Sequence, residues 1–376
     1  MSLQDSQTPQ HGSGRNKTRL TIIIAMVVVV LLAGGTVGAM GAGGFFSPVK
    51  PANLSDVRLP TLTPSPTPTP SPTPSPTPKP LPTWPLTGVP GDVVDRPALV
   101  VKVENSSDAR PQEGLDSADI VFEEMVEGGI SRYVAMFHST LPYHIVPVRS
   151  IRPMDGPIAS WTKGIIAFAG GKDRFKQRAQ DDGLQLISTG SGLGRVDDRV
   201  APHNLAGNPE KLIARADADH QLPPPPFAAF TTGGAKNTAQ LTGSATSQLT
   251  VDISSIAQPR WKWDDASGRW LRWEFNTAAR VVSGDQLSAT NVILVSVDVV
   301  IQPEVDAAGT HVPESIVVGQ GKALLASGGM SVPITWKKDT ETSTWQFLDS
   351  SGAPVTLLPG KTWVELVPSA GSWSVS

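Results

Sequence analysis

ADIVFEEMVEGGISRYVAMFH, residues 118–138, consists of two apolar-rich runs on either side of Glu127-Gly128-Gly129-Ile130. The runs 118–126 and 131–138 have the length of strands and are rich in β-branched and aromatic side chains. A short connection with two glycines between such runs is a hairpin signal. Working outward, RPALVVKVEN (96–105) predicts a buried strand entered from a proline. Pro153–Thr162 predicts a helix start with proline in the first turn. GIIAFAGG (164–171) is a short apolar strand, KDRFKQRAQDDG (172–183) has helix composition and a glycine stop, and LQLIST (184–189) is a further strand. NPEKLIARADA (208–218) opens as a helix, with Asn208 as cap and Pro209 at the first position. Strands alternating with helices point to an α/β layer.

After PPPP (223–226) the pattern changes. RWKWDDASGRWLRWEF (260–275) is two alternating runs around a turn, and NVILVSVDVV, KALLAS, MSVPITWKK, TWQFLD, APVTLL and TWVELV follow as short strands. The expected fold class is therefore α/β plus β. An N-terminal α/β half with a mixed sheet (91–226) precedes a mainly antiparallel β-rich half (227–376), and the two pack together because 231–290 alone is thin in core residues. Eight of the ten tryptophans lie beyond residue 260. Trp is mostly buried in folded proteins, so a core role is expected for them, with stacking on glycan rings as the alternative.

The head is preceded by two segments of different character. Arg15, Lys17 and Arg19 flank an uncharged stretch from Leu20 to Phe46. About 20 apolar residues span a bilayer. The basic flank stays in the cytoplasm, which places the rest of the chain outside. Hence residues 1–19 read as a cytoplasmic tail and 20–46 as a transmembrane anchor, or as a signal segment cleaved after Val37-Gly38-Ala39. Residues 47–90 read as a Pro/Thr/Ser-rich stalk. From Thr63 to Pro78 every second residue is proline, which fixes φ and removes backbone donors. Residues 60–85 would reach roughly 80 Å as polyproline II.

The chain has 376 residues, a net charge of −3 and no cysteine. The basic N-terminus leaves the remainder more acidic still, so there is no nucleic-acid footprint. Without cysteine there is no disulfide, thiol nucleophile, Cys-zinc site or lipidated N-terminal cysteine. Ser160-Trp161-Thr162-Lys163 has the SxxK spacing of penicillin-binding enzymes but lacks the partner motifs. GSGLG (190–194) is read as turn glycines, since no helix follows to make a phosphate cradle. No metal-ligand spacing, cofactor motif or complete catalytic set is found, so no catalytic residue, cofactor or metal is assigned.

The charged residues around PVRSIRPMDG (147–156) form the candidate site. Pro153 drives Arg152 out of helical conformation, so a turn lets Arg149 and Arg152 converge. Arg132, Glu123 and Glu127 lie on the nearby hairpin, and His203 and Asn204 lie in APHNL. Arginine forks suit carboxylate or phosphate. The two readings are a network of Arg149 and Arg152 with Glu123 and Glu127 that braces the fold, and a site for an anionic ligand.

The 96–137 segment, PVRSIRP, APHNL, NVILV, GQGKALL and LLPGKTWVEL resemble, in order, the YerB-like family of bacterial cell-envelope lipoproteins, over roughly residues 92–368. The resemblance implies an extracytoplasmic location in a Gram-positive-type bacterium and a two-part head. It brings no established reaction. This chain departs from the family in its anchor, where an apolar segment and stalk stand in place of a lipidated cysteine. Asn105 stands where members often carry Asp-Asn, so no role needing a carboxylate there is carried over. The functional expectation is a membrane-anchored, extracytoplasmic binding module for an anionic cell-wall component or a cell-wall enzyme, contacting the membrane through 20–46. The alternatives are a glycopolymer-modifying, phosphotransferase-like enzyme and a structural spacer. SIRPMD is similar to the Ser-Ile-Pro-Arg-Asp stretch of LytR-type phosphotransferases, which share the layout of anchor and outer head.

Overall fold

The computed structural model describes residues 81–306 and 308–376. Three strands form its centre: β1 (Leu99–Glu104), β2 (Ile120–Met125) and β3 (Ser131–Phe137). β2 and β3 are the antiparallel hairpin that the sequence predicts, with Glu124 opposite Arg132. Its turn places Gly128 and Gly129 at φ 69° and 77°, a region that glycine enters without steric cost. β1 lies on the other side of β3, with Glu104 also opposite Arg132.

The α/β expectation holds for the next elements. α1 (Asp155–Ala159) leads to β4 (Ile165–Ala167), and α2 (Asp173–Asp181) leads to β5 (Gln185–Ile187). β4 runs parallel to β1, and β5 parallel to β4. α1 is shorter than 153–162 suggests, because the chain tightens into a 3-10 turn at Ser160–Thr162. β6 (Leu193–Arg195) and β7 (Leu205–Gly207) form a small hairpin. α3 (Pro209–Ile213) follows, with Asn208 accepting the Lys211 N–H at 3.0 Å as its cap.

The two halves share one sheet. The strand Thr362–Pro368 lies parallel to β2, and Asn291–Val305 lies parallel to Thr362–Pro368 on its far side. Gly319–Ser327, Met330–Lys338 and Gln346–Leu348 extend the row antiparallel, in a sheet of twelve strands. A second, six-stranded sheet contains the Pro259–Asp264 and Arg269–Glu274 hairpin, flanked by Gln248–Asp252 and Ser372–Val375. Strand alternation divides the interior. Val100, Phe122, Val134 and Val364 share one core with Ile158 of α1, Phe175 of α2, Trp336 and Trp345. Leu99, Val101, Val121, Tyr133 and Trp363 share the other with Trp261 and Trp270 of the second sheet. Burial on both faces explains why the central strands are nearly continuously apolar. Five of the eight tryptophans beyond residue 260 serve the core, as expected: Trp261, Trp270, Trp336, Trp345 and Trp363 are buried, while Trp263, Trp273 and Trp373 are half-buried.

The head begins earlier than residue 91. Leu86 is fully buried, the Trp84 ring meets His138 edge-on at 5.1 Å, and Phe227 donates its backbone N–H to the Pro85 carbonyl at 3.0 Å. Two large apolar side chains after the proline run give residues 82–90 enough area to dock, so this stretch belongs to the head and not to the stalk. Likewise, 226/227 divides the sequence but not the sheet. The tail (1–19), the apolar segment (20–46) and the stalk up to residue 80 lie outside the described residues. Among the described residues no helix is long and apolar enough to cross a membrane.

Candidate functional site

The loop Val148–Asp155 runs along the end of the central strands and carries both arginines of the candidate site. The two guanidinium groups take separate anions rather than converging on one. Arg152 grips Glu127 with two nitrogens, Nε to Oε1 at 2.6 Å and Nη2 to Oε2 at 2.7 Å. Arg149 takes Glu104 through Nε at 3.2 Å, and His203 Nδ1 reaches the same Glu104 oxygen at 2.8 Å. Arg132 joins them from β3. Its Nη1 donates to the Ser150 carbonyl at 3.3 Å, the carbonyl that also accepts Arg152 Nη1 at 3.2 Å. Among the described residues Arg132 has no carboxylate within ion-pair distance, and its Nε is buried without a partner. Burial, with Arg152 as the next cause, lowers the Arg132 pKa to about 10.

Two expected members lie elsewhere. Glu123 and Glu124 are neighbours in a strand, so they point to opposite faces; Glu124 shares the Arg132 face and Glu123 does not. Glu123 instead meets Arg272 at 2.6 Å beneath the second sheet. Asn204 accepts from Arg195 and donates to the Val196 carbonyl at 3.2 Å, closing the 196–204 loop instead of facing the arginines. Glu104, which sequence reasoning missed, is the shared acceptor. The available signal was its cross-strand position opposite Arg132.

A second charged cluster is entirely internal. Arg272 holds Glu123, Glu274 at 2.8 Å and Glu365 at 2.8 Å, and its guanidinium lies 4.6 Å from the Trp363 ring. Trp261 Nε1 donates to Glu365 at 2.8 Å, and Tyr133 donates to Glu274 at 3.2 Å. Burial, then the Glu123 charge beside it, pushes the Glu365 carboxyl well above the ordinary range. Burial opposes the Glu274 charge too, but Arg272 and Arg110 outweigh it and hold that carboxyl low. The cluster ties the two sheets together, and solvent does not reach Arg272, Glu123 or Glu365.

The motifs set aside on sequence grounds behave as structure. The Ser160 hydroxyl donates to the Glu341 carbonyl at 2.6 Å, while Lys163 is exposed in a left-handed turn at φ 52°. Gly190 and Gly192 occupy turn conformations at φ 83° and 93°. No group of three ligating His, Asp or Glu side chains is assembled among the described residues.

A family model described as "Protein of unknown function (DUF3048) N-terminal domain" matches residues 86–221, and its C-terminal companion matches residues 249–364. The chain belongs to the DUF3048 family. A Bacillus subtilis (strain 168) relative named "Putative lipoprotein YerB" is 26% identical over 308 residues, covering 78% of this chain and 88% of the relative. The crystal structure of YerB from Bacillus subtilis superposes with a TM-score of 0.64 at 24% identity, covering 78% of this chain and 99% of that one. The YerB-like resemblance is thereby established, and the solved structure supports the fold. Within the DUF3048 head, the N-terminal match contains the whole arginine rim. Arg272 and Glu365 come from the C-terminal half, and Glu365 lies one residue past that match.

Proposed function

We propose that this protein is a membrane-tethered, extracytoplasmic binding head that recognises an anionic polymer of the cell envelope through the rim formed by Arg132, Arg149, Arg152 and His203. One observation carries the reading: among the described residues, three guanidinium groups and an imidazole share Glu104 and Glu127 alone, which leaves Arg132 without a carboxylate. Arg149 and His203 remain about one-fifth exposed while Arg132 and Arg152 are buried, so an incoming anion meets Arg149 and His203 first. Charge-assisted bonds from arginine forks to phosphate are strong and directional. The lipoprotein name of the Bacillus relative supports an envelope location, with residues 20–46 as the tether in place of a lipid.

The test is titration of the purified protein with poly(glycerol phosphate), with neutral dextran as control, followed by calorimetry at two salt concentrations. Saturable binding to the phosphate polymer is expected, weaker at higher salt, and reduced at least about tenfold in Arg149→Gln (about 1.4 kcal/mol). Equal binding by the variant, or none by the parent, defeats the assignment.

A further inference from the structure

Lys102 sits in the middle of β1, a strand buried on both faces, where a long cationic side chain is out of place unless it is matched. On its own face are Val100, Val134, Phe122 and, from the loop and helix above, Met154 and Ile158. Its Nζ contacts Glu124 Oε1, which reaches over from β2, and Asp155 Oδ1 at the start of α1, at 2.8 Å. All three side chains are fully buried. The Asp155 carboxyl is held from its far side, where Oδ2 accepts the Arg152 backbone N–H at 2.7 Å. Glu124 Oε2 is buried with no hydrogen-bond partner among the described residues. One amine thus faces two carboxyl groups in an apolar interior. Burial, and then the Asp155 charge, raises the Glu124 pKa to about 8, so this carboxyl keeps its proton at neutral pH.

These are the parts of an amide-forming site: an amine against a carboxyl, a donor on that carboxyl's other oxygen, a protonated acid beside both, and no bulk water. We propose that Lys102 and Asp155 are joined by an intramolecular amide bond, formed after folding with Glu124 as the acid–base group. Moving one proton from the ammonium to the Asp155 carboxylate removes two charges from the apolar interior, where unpaired charge is costly. The neutral Nζ then adds to the Asp155 carbonyl carbon, with the Arg152 N–H supporting the developing oxyanion as a preorganised donor. Glu124 accepts a proton from the nitrogen on one oxygen and gives its own to the departing hydroxyl. The Nζ–Cγ bond forms, the Cγ–O bond breaks, one water leaves, and Glu124 ends as it began, protonated. No oxidant or cofactor is consumed, and the fold itself supplies the proximity that makes the reaction unimolecular. The product cross-links the central sheet to the helix layer in a chain that has no cysteine to do so.

Peptide mapping of the full chain by tandem mass spectrometry tests this. The expected result is one branched peptide containing both Lys102 and Asp155, lighter than the sum of its two parts by one water. In Lys102→Met the branch is absent. In Glu124→Gln, with folding verified by near-ultraviolet circular dichroism, Lys102 and Asp155 are recovered in separate peptides of full mass. Separate, full-mass peptides from the parent chain overturn the proposal, whether or not either variant folds. A branch joining Lys102 to Glu124 overturns the assignment of Asp155 as the acyl partner.

Discussion

Arg272 and Arg149 are both arginines paired with glutamate, and burial makes them unlike. Arg272 is fully buried among Glu123, Glu274 and Glu365. Removing it strands carboxylates that cannot be rehydrated, and breaking such a buried set costs about 3–5 kcal/mol. Arg272→Met is therefore expected to lower the urea midpoint sharply, with Tyr133 and Trp363 fluorescence reporting the loss of the sheet contact. Arg149 is 22% exposed, and the buried Glu104 it pairs with keeps His203 as a second partner when Arg149 is lost, which brings the cost toward the value of about 1 kcal/mol or less found for solvent-accessible pairs. Arg149→Gln should unfold within about 1 kcal/mol of the parent while losing polymer binding. If both variants cost the same, the distinction between brace and binding rim is wrong. Much of this was legible in sequence: Arg132, Arg152 and Glu127 lie on one hairpin and the loop beside it. Glu123 was misplaced because a run of two glutamates in a strand hides which one shares the arginine face. Arg272 was missed because nothing local ties residue 272 to residue 123.

The helix layer depends on close approach. In α1, a Cβ added at Gly156 would lie 2.6 Å from Asp182 Oδ2 and 2.9 Å from the Ala179 Cα of α2. The side chain could bend away, but the α2 backbone cannot. Gly156→Val should therefore separate the helices and cost about 1–3 kcal/mol, as overpacking typically does. Thermal denaturation measures this, and an unchanged midpoint would show that α2 shifts freely. At α3, Asn208→Ala removes the bond to the Lys211 N–H and should cost about 1 kcal/mol. Both elements were legible because their signals are local: an asparagine before Pro209, and a glycine stop after α2. The shortening of α1 was not legible. It follows from packing against Trp345 and Glu341, which lie far along the chain.

At the scale of the molecule, the sequence revealed strand-rich halves but not the seam between them. β2 pairs with Thr362–Pro368 across most of the chain, and no periodicity encodes such a partner. The same seam sets Glu123 beside Glu365, on adjacent parallel strands at matching positions. This juxtaposition gives the head an unusual pH dependence. In the folded protein the Glu365 carboxyl stays protonated well above the ordinary carboxylate range. In the unfolded chain it releases its proton near the usual value of about 4.3. Above that value the unfolded state binds fewer protons than the folded one, so stability falls as pH rises. The contribution is complete below the ordinary carboxylate range and is lost progressively toward the folded-state pKa. Urea midpoints should therefore be higher at about pH 5 than at about pH 8 for the parent chain. Glu365→Gln keeps the neutral shape of the protonated acid and its acceptor for Trp261, but has no proton to lose. Its midpoint should fall less over the same interval, and at about pH 8 it should equal or exceed that of the parent. Burial lowers the His138 pKa to about 4 and works against this trend between about pH 5 and 6.5, so the comparison with the variant decides: a Glu365→Gln midpoint that falls as much as the parent's would mean that Glu365 is ionised in the seam, with Arg272 alone balancing all three carboxylates.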